Sequence, residues 1–176
     1  KRLVYRVFLA VGYKMADFKL ERKKPPLVWR LLNWIAYFLL FRSLKNYFGL
    51  TRLQHVYTGG APLGPEIFKM FQALNVNIKQ AYGMTEQTAA SIVHRTDDIR
   101  LDTVGKPLPG LEFKVSDSGE LLSRGDTIFK GYYKNPEATA KALRDGWFHS
   151  GDAALIEEDG HIIIIDRMAD VMKLMD

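Results

Sequence analysis

The apolar residues of this chain change their period once, near Gly49, and that change limits the fold to two kinds of structure in series. Before it, Leu3, Val4, Val7, Phe8, Val11, Met15 and Phe18 recur at steps of three and four, which is helical spacing. Pro25-Pro26 interrupts the pattern, and a second helix is expected from about Leu27 to Phe48, rich in Trp29, Trp34, Tyr37, Phe38 and Phe41. After Gly49 short β-type runs alternate with Gly, Pro, Asn and Asp. Leu53–Thr58 reads as a strand, Gly64–Leu74 as a helix opened by Pro65, and Val76–Tyr82 as a second strand. Strand, helix and strand at this length suggest a parallel α/β unit, with ligands at the carboxyl ends of the strands, where Gly59-Gly60 and Tyr82-Gly83 fall. Beyond Ala89 the expected strands are Ala89–Val93, Leu111–Val115, Glu120–Ser123, Ala153–Ile156 and His161–Asp166. Asp117–Gly119 and Glu158–Gly160 are hairpin turns, and a short helix runs from Asn135 to Leu143.

Charge follows the same division. Residues 1–52 carry 12 Lys and Arg against Asp17 and Glu21, a net of +10, while residues 53–176 carry 13 against 18, a net of −5. A basic, aromatic helical stretch suits an anionic membrane surface or an acidic partner domain. Packing on further parts of the protein is the plainer reading. Arg30, Asn33 and Arg42 interrupt the second helix, so it is not expected to span a bilayer. The basic residues form no recognised reader of nucleic acid, and no nucleic-acid partner is expected. With 47% apolar residues the chain can bury a core, and with no cysteine it has neither disulfides nor thiolate metal sites. That composition fits a cytoplasmic location, with peripheral contact at the inner face of the membrane through residues 1–52 as a further expectation. The chain opens at Lys1 and stops at Asp176 after a Val-Met-Lys-Leu-Met run, and both ends are expected to be cuts through a longer protein.

Four segments carry side chains suited to a nucleotide. Thr58-Gly-Gly-Ala-Pro-Leu63 lets a flat ligand approach the backbone, although a Gly-Gly pair also serves any turn. Gln80-Ala-Tyr-Gly-Met-Thr-Glu86 offers an aromatic face, a hydroxyl and a hard oxygen for Mg²⁺; a capped loop with an exposed Glu is the alternative. Trp147-Phe-His-Ser-Gly-Asp152 ends in a carboxylate able to accept from two ribose hydroxyls, or is a turn. Gly160-His-Ile-Ile-Ile-Ile-Asp-Arg167 delivers two charges to a strand end, where Arg167 binds phosphate or ribose oxygens or forms a local ion pair. His149 has no visible partner and is assigned no catalysis.

Together, in this order, and with Val104-Gly-Lys-Pro-Leu-Pro-Gly110, Gly119-Glu-Leu-Leu-Ser-Arg-Gly125 and Gly131-Tyr-Tyr-Lys-Asn-Pro-Glu-Ala-Thr139, these segments resemble the adenylate-forming superfamily of acyl-CoA synthetases, luciferases and peptide-synthetase adenylation domains. His94-Arg95 and the Lys134–Thr139 run look most like its long-chain fatty-acyl-CoA synthetase branch. The resemblance implies part of a parallel-sheet α/β subdomain (53–95), then a small β-rich subdomain (96–168) and the start of a hinge (169–176), with basic amphipathic helices (1–52) in front. It implies a ligase that forms acyl-AMP and pyrophosphate from a fatty acid and ATP, then passes the acyl group to CoA, with Mg²⁺ as cofactor. Carried over by position, Gly60, Ala61 and Pro62 line the adenine pocket and Tyr82 stacks on the base. Thr85 touches the phosphate, Glu86 holds Mg²⁺, and Asp152 grips the ribose with Arg167 nearby. Gly59, Gly83 and Met84 border the acyl pocket. The family's phosphate loop and its C-terminal domain with a catalytic Lys have no counterpart in these 176 residues, so the isolated chain is expected to be inactive. Ala169 stands where the family usually has Lys or Asp, and Ser150 where it usually has Thr. A related ligase for another carboxylate, or a non-catalytic nucleotide- or membrane-binding module, are the alternatives.

Overall fold

In the computed structural model, which describes residues 2–61 and 63–173, the chain forms two compact units, Lys1–Lys79 and Gln80–Asp176.

The first unit is mainly helical. Helix α1 spans Arg2–Leu20. It ends in a left-handed Arg22 (φ 55°), with Arg22 N–H bonded to Lys19 O and Lys23 N–H to Phe18 O, which satisfies the last carbonyls in the Schellman manner. A second helical run covers Leu27–Tyr47 in three parts: α2 (Leu27–Ala36), a single π-turn (Tyr37–Phe41) and α3 (Arg42–Tyr47). Gly49, with φ 71°, closes it by the same terminal motif. By length and composition alone, Leu27–Tyr47 reaches what a membrane-crossing helix needs, despite Arg30 and Arg42. Ala36 and Phe41 on this run are nonetheless fully buried, in a core with Leu74 and Val76. Strand β1 (Val56–Thr58) and helix α4 (Pro65–Ala73) follow, then strand β2 (Ile78–Tyr82), a sheet neighbour of β1 whose first two residues belong to this unit.

The apolar stripe expected on α1 is only partly buried. Val11, Gly12 and Ala16 are covered, whereas Leu3, Val4 and Val7 stay exposed. The reason is the small residue at the crossing. A Cβ built on Gly12 would lie 2.3 Å from the carbonyl oxygen of Ala73 at the end of α4 and 2.8 Å from the Phe41 ring, so α1 comes close to both at this point.

The second unit is built from strands. The last three residues of β2 lead into β3 (Ile92–Val93) and β4 (Lys106–Pro107), with antiparallel pairs Ala81↔Val93 and Ile92↔Pro107. A five-stranded antiparallel sheet follows, made of β5 (Leu111–Val115), β6 (Glu120–Gly125), β7 (Leu143–Arg144), β8 (Trp147–Ile156) and β9 (Ile162–Arg167). Its order is β5-β6-β8-β7, with β9 on β8. Gly119 and Gly160, both at positive φ, turn the two expected hairpins. Helix α5 (Pro136–Ala142) is capped by Asn135, whose Oδ1 accepts from Ala138 N–H. Helix α6 (Met168–Lys173) contains Ala169 of the expected hinge segment, and residues 174–176 lie outside the described residues. Ile92, Val104, Leu121, Ala154 and Ile162 form the core of this unit.

Strand β8 is the main difference from the sequence expectation. It begins at Trp147 and not at Ala153, so the Trp147–Asp152 segment is strand and not turn. Gly151 has φ 72° and lies where the pairing slips between Leu122↔His149 and Glu120↔Ala153. Such a bulge re-aims the residue beside it, and Asp152 is buried there.

Gly12→Ala should destabilise the protein by about 1–3 kcal/mol, because its methyl would press on the Ala73 carbonyl and on the buried Phe41 ring. Urea unfolding of the two proteins side by side checks this; an unchanged midpoint contradicts the close α1–α4 crossing.

Candidate functional site

Asp152 is the centre of the site geometry. The bulge at Gly151 and the register Asp152↔Arg167 bring its carboxylate against β9, and β2 supplies a phenol from the other side. Tyr82 OH donates to Asp152 Oδ2 at 2.5 Å, and Arg167 Nε lies 3.1 Å from Asp152 Oδ1. The Asp152 backbone N–H donates to Ser150 Oγ at 3.1 Å, and that hydroxyl donates to Leu121 O at 2.7 Å, so Ser150 spends its hydroxyl on the strand. Burial and the neighbouring carboxylate push the Tyr82 phenol far above its ordinary value, which keeps it a donor. A carboxylate accepts at about four lone pairs. Tyr82 and Arg167 take one on each oxygen, which leaves one on each, the complement of a vicinal diol.

The Glu86 loop is built by tight backbone packing. A Cβ on Gly83 would fall 1.8 Å from Ala89 O, so only glycine allows this return of the chain. The 3₁₀ turn Thr85–Gln87 is closed by Gln87 N–H to Met84 O, and Thr88 and Ala89 both take positive φ. Gln87 is fully buried between Ser123 and Ser91, and Thr88 Oγ1 donates to Thr127 O at 2.7 Å. Phe129 N–H bonds to Glu86 O at 2.8 Å, and Tyr132 OH donates to Glu86 Oε1 at 2.7 Å. Thr85 is exposed and Glu86 half-buried. Magnesium is held by one or two carboxylates together with phosphate oxygens. A half-buried Glu with an exposed hydroxyl beside it fits that donor set.

The sequence-expected residues thus fall into three places. Tyr82, Asp152 and Arg167 meet in one hydrogen-bonded group. Gly83, Met84, Thr85 and Glu86 form one wound loop directly after Tyr82. Gly59, Gly60 and Ala61 lie in the first unit, exposed at the end of β1, with Gly60 at φ 83°, and Pro62 lies outside the described residues. Gly83 has a backbone role inside its own loop. His149 Nδ1 lies 2.8 Å from Glu120 Oε2 on the adjacent strand, a structural use. Tyr132 was not singled out from the sequence; the Gly131–Thr139 motif that contains it was the available signal.

A second polar group also escaped the sequence reading. Gln80 N–H donates to His94 Nδ1 (3.1 Å), so His94 carries its proton on Nε2, 3.1 Å from Thr103 Oγ1. Thr103 in turn lies 2.8 Å from His161 Nδ1, and His161 Nε2 3.0 Å from Asp98 Oδ1. The amide donor at one end fixes the His94 tautomer, and the Asp98 carboxylate at the other accepts from His161 Nε2. Both rings are essentially inaccessible. Burial and the nearby His161 push His94 down to about 4. Burial would raise Asp98, but Lys106 at 2.8 Å and His161 outweigh it and hold it at about 2.

The family model described as AMP-binding enzyme matches residues 13–133. The chain belongs to the AMP-binding enzyme family. It is 32% identical, over 95% of its length, to a long-chain-fatty-acid–CoA ligase, FadD15, of Mycobacterium bovis, and covers 28% of that protein. A luciferin 4-monooxygenase of Photuris pensylvanica is 38% identical over 74% of this chain, which covers 27% of it. Among solved structures, an anthranilate CoA ligase, AuaEII, in complex with anthranoyl-AMP superposes with a TM-score of 0.64 at 26% identity, over 77% of this chain and 28% of that one. The chain therefore spans little more than a quarter of the length of these AMP-binding relatives.

Protonation of His94 opposes folding. The unfolded chain takes up this proton near pH 6.5 and the folded one only near 4, so the stability is complete above 6.5 and is lost as pH falls from 6.5 towards 4. The loss is about 3 kcal/mol for this group. Ring ¹⁵N NMR should find His94 neutral, with Nε2 protonated, at pH 5.5. A His94 that titrates near 6.5 contradicts the buried chain.

Proposed function

We propose that this chain is the segment of an AMP-forming long-chain fatty acid–CoA ligase that holds the adenosine and the metal-bound phosphates. The observation that carries the reading is the Asp152 carboxylate, buried between the Tyr82 phenol and Arg167 with acceptor capacity to spare. The match to FadD15 across almost the whole chain supports a long-chain fatty acid as the substrate.

The reaction has two steps. A fatty carboxylate oxygen attacks the α-phosphorus of ATP and pyrophosphate leaves, giving acyl-AMP. The thiol of CoA then attacks the acyl carbonyl and AMP leaves, giving the thioester. The attacking carboxylate is already an anion, so the first step needs placement and charge neutralisation and no general base. Asp152 accepts from the two ribose hydroxyls and fixes the sugar. Tyr82 presents its ring to the base while its hydroxyl keeps Asp152 oriented. Arg167, largely exposed beyond its contact with Asp152, turns its remaining donors to ribose or phosphate oxygens. Thr85 would donate to phosphate and Glu86 would hold Mg²⁺, which when bound would supply positive charge beside the phosphates. By their position in the motif order, Gly60, Ala61 and Pro62 are candidates for contact with the adenine. The basic, aromatic surface of residues 1–52 supports peripheral contact with an anionic membrane from the cytoplasmic side. The luciferin and anthranilate relatives favour a second reading, the same chemistry on an aromatic or other carboxylate.

ATP–pyrophosphate exchange on the complete reading frame, across acids from acetate to long-chain, aromatic and amino acids, tests the proposal. Exchange should peak with long-chain acids and fall about 100-fold or more in Glu86→Ala. A peak with aromatic acids moves the substrate. No exchange with any acid, from folded protein that binds ATP, refutes the ligase reading.

A further inference from the structure

The motif Gly131–Thr139 has a mechanical function legible residue by residue. Asn135 caps α5, and Thr139 in its first turn donates to Asn135 O at 2.8 Å. The same Thr139 Oγ1 accepts from Tyr132 N–H at 2.9 Å. That bond needs the preceding residue to pass very close. A Cβ on Gly131 would lie 2.6 Å from Thr139 Cγ2, and Gly131 has φ 142°. The peptide of Tyr132 is therefore pinned to the helix, and its ring packs edge-on against Phe129, 4.8 Å between centroids. Phe129 is itself tied by its N–H to Glu86 O and packs on the buried Phe148. The outcome is one hydrogen bond, from the Tyr132 phenol to Glu86 Oε1.

We infer that Tyr132 is a positioning residue for Glu86, held by the α5 cap so that its hydroxyl orients the carboxylate for a divalent cation. The inference rests on the reading of Glu86 as the metal carboxylate. A phenol suits the task because it is a neutral donor. Lys or Arg would orient Glu86 equally well but would cancel the charge that attracts the cation. One oxygen of Glu86 is occupied by a fixed donor, and Oε2 is left to the metal. Fixing a carboxylate ligand from behind removes rotamer freedom before the metal arrives, and loss of such a support typically costs about 10-fold or more in metal affinity.

The test uses the complete reading frame and a non-hydrolysable ATP analogue, whose affinity is measured with Mn²⁺ and with chelator. The ratio of the two affinities is the gain due to the metal. Tyr132→Phe keeps the ring against Phe129 and removes only the hydroxyl. It should cut the gain about 10-fold and leave the metal-free affinity unchanged. Thr139→Val, which releases the other end of the device, should cut the gain in the same direction, and it carries the test if Tyr132→Phe does not fold by circular dichroism. Glu86→Gln separates the two readings. If Glu86→Gln loses the gain while Tyr132→Phe and Thr139→Val retain it, the positioning role is wrong and the metal role of Glu86 stands. If Glu86→Gln also retains it, the metal role falls and the inference falls with it. If Tyr132→Phe weakens binding equally with and without metal, its role is structural and the inference is overturned.

Discussion

A buried carboxylate needs partners, and the need is acute for Asp152, which sits in a strand with almost no access to water. Its partners come from β2 and β9, elements on opposite sides of it in sequence. Three local features must agree for the group to form. Gly151 must accept a positive φ, the β8–β9 register must place Asp152 opposite Arg167, and β2 must end with Tyr82 in reach. The same three features are what a diol-binding carboxylate requires: orientation, a retained charge and spare acceptor sites. The arrangement that satisfies the buried carboxylate is thus the one the proposed ribose contact would use.

The Glu86 loop shows a complementary strategy. Its 3₁₀ turn is too short to hold itself, and two consecutive non-glycine residues beyond it lie in the left-handed region, a costly conformation. The cost is offset by contacts from the 123–132 segment. Ser123, Thr127, Phe129 and Tyr132 each take one group of the loop. A loop held at four successive points has little freedom to let a carboxylate wander. This rigidity is where fold and proposed metal chemistry meet, because a ligand that is ordered beforehand loses less entropy on binding.

The histidine chain does a different job. It uses two imidazoles, a threonine and Asp98 to satisfy one another's buried polar groups, and the Gln80 amide, without a net charge on His94. Its hydrogen-bonded side-chain pairs are 9 to 63 residues apart in sequence, so no local pattern announces it. His161, next to four isoleucines, read as the start of a buried strand, and that reading missed its polar role.

What the sequence by itself determined is local. Helical spacing before Gly49 and short strands after it set the kinds of element. Gly119 and Gly160 set the hairpins, and the order of motifs from Gly59-Gly60 to Asp166-Arg167 pointed to the family and to Tyr82, Glu86, Asp152 and Arg167 as candidates. The elements and turns depend on residues two to four positions apart, and the motif order is linear along the chain, so both are read without the fold. Only the tertiary structure decided that Trp147–Asp152 is a bulged strand, that α1 crosses α4 at Gly12 and leaves Leu3, Val4 and Val7 uncovered, and that Tyr132 meets Glu86 across 46 residues. These depend on strand register and on backbone approach between distant elements. A slip of one residue there reverses which side chains face inward, and no local window carries that information.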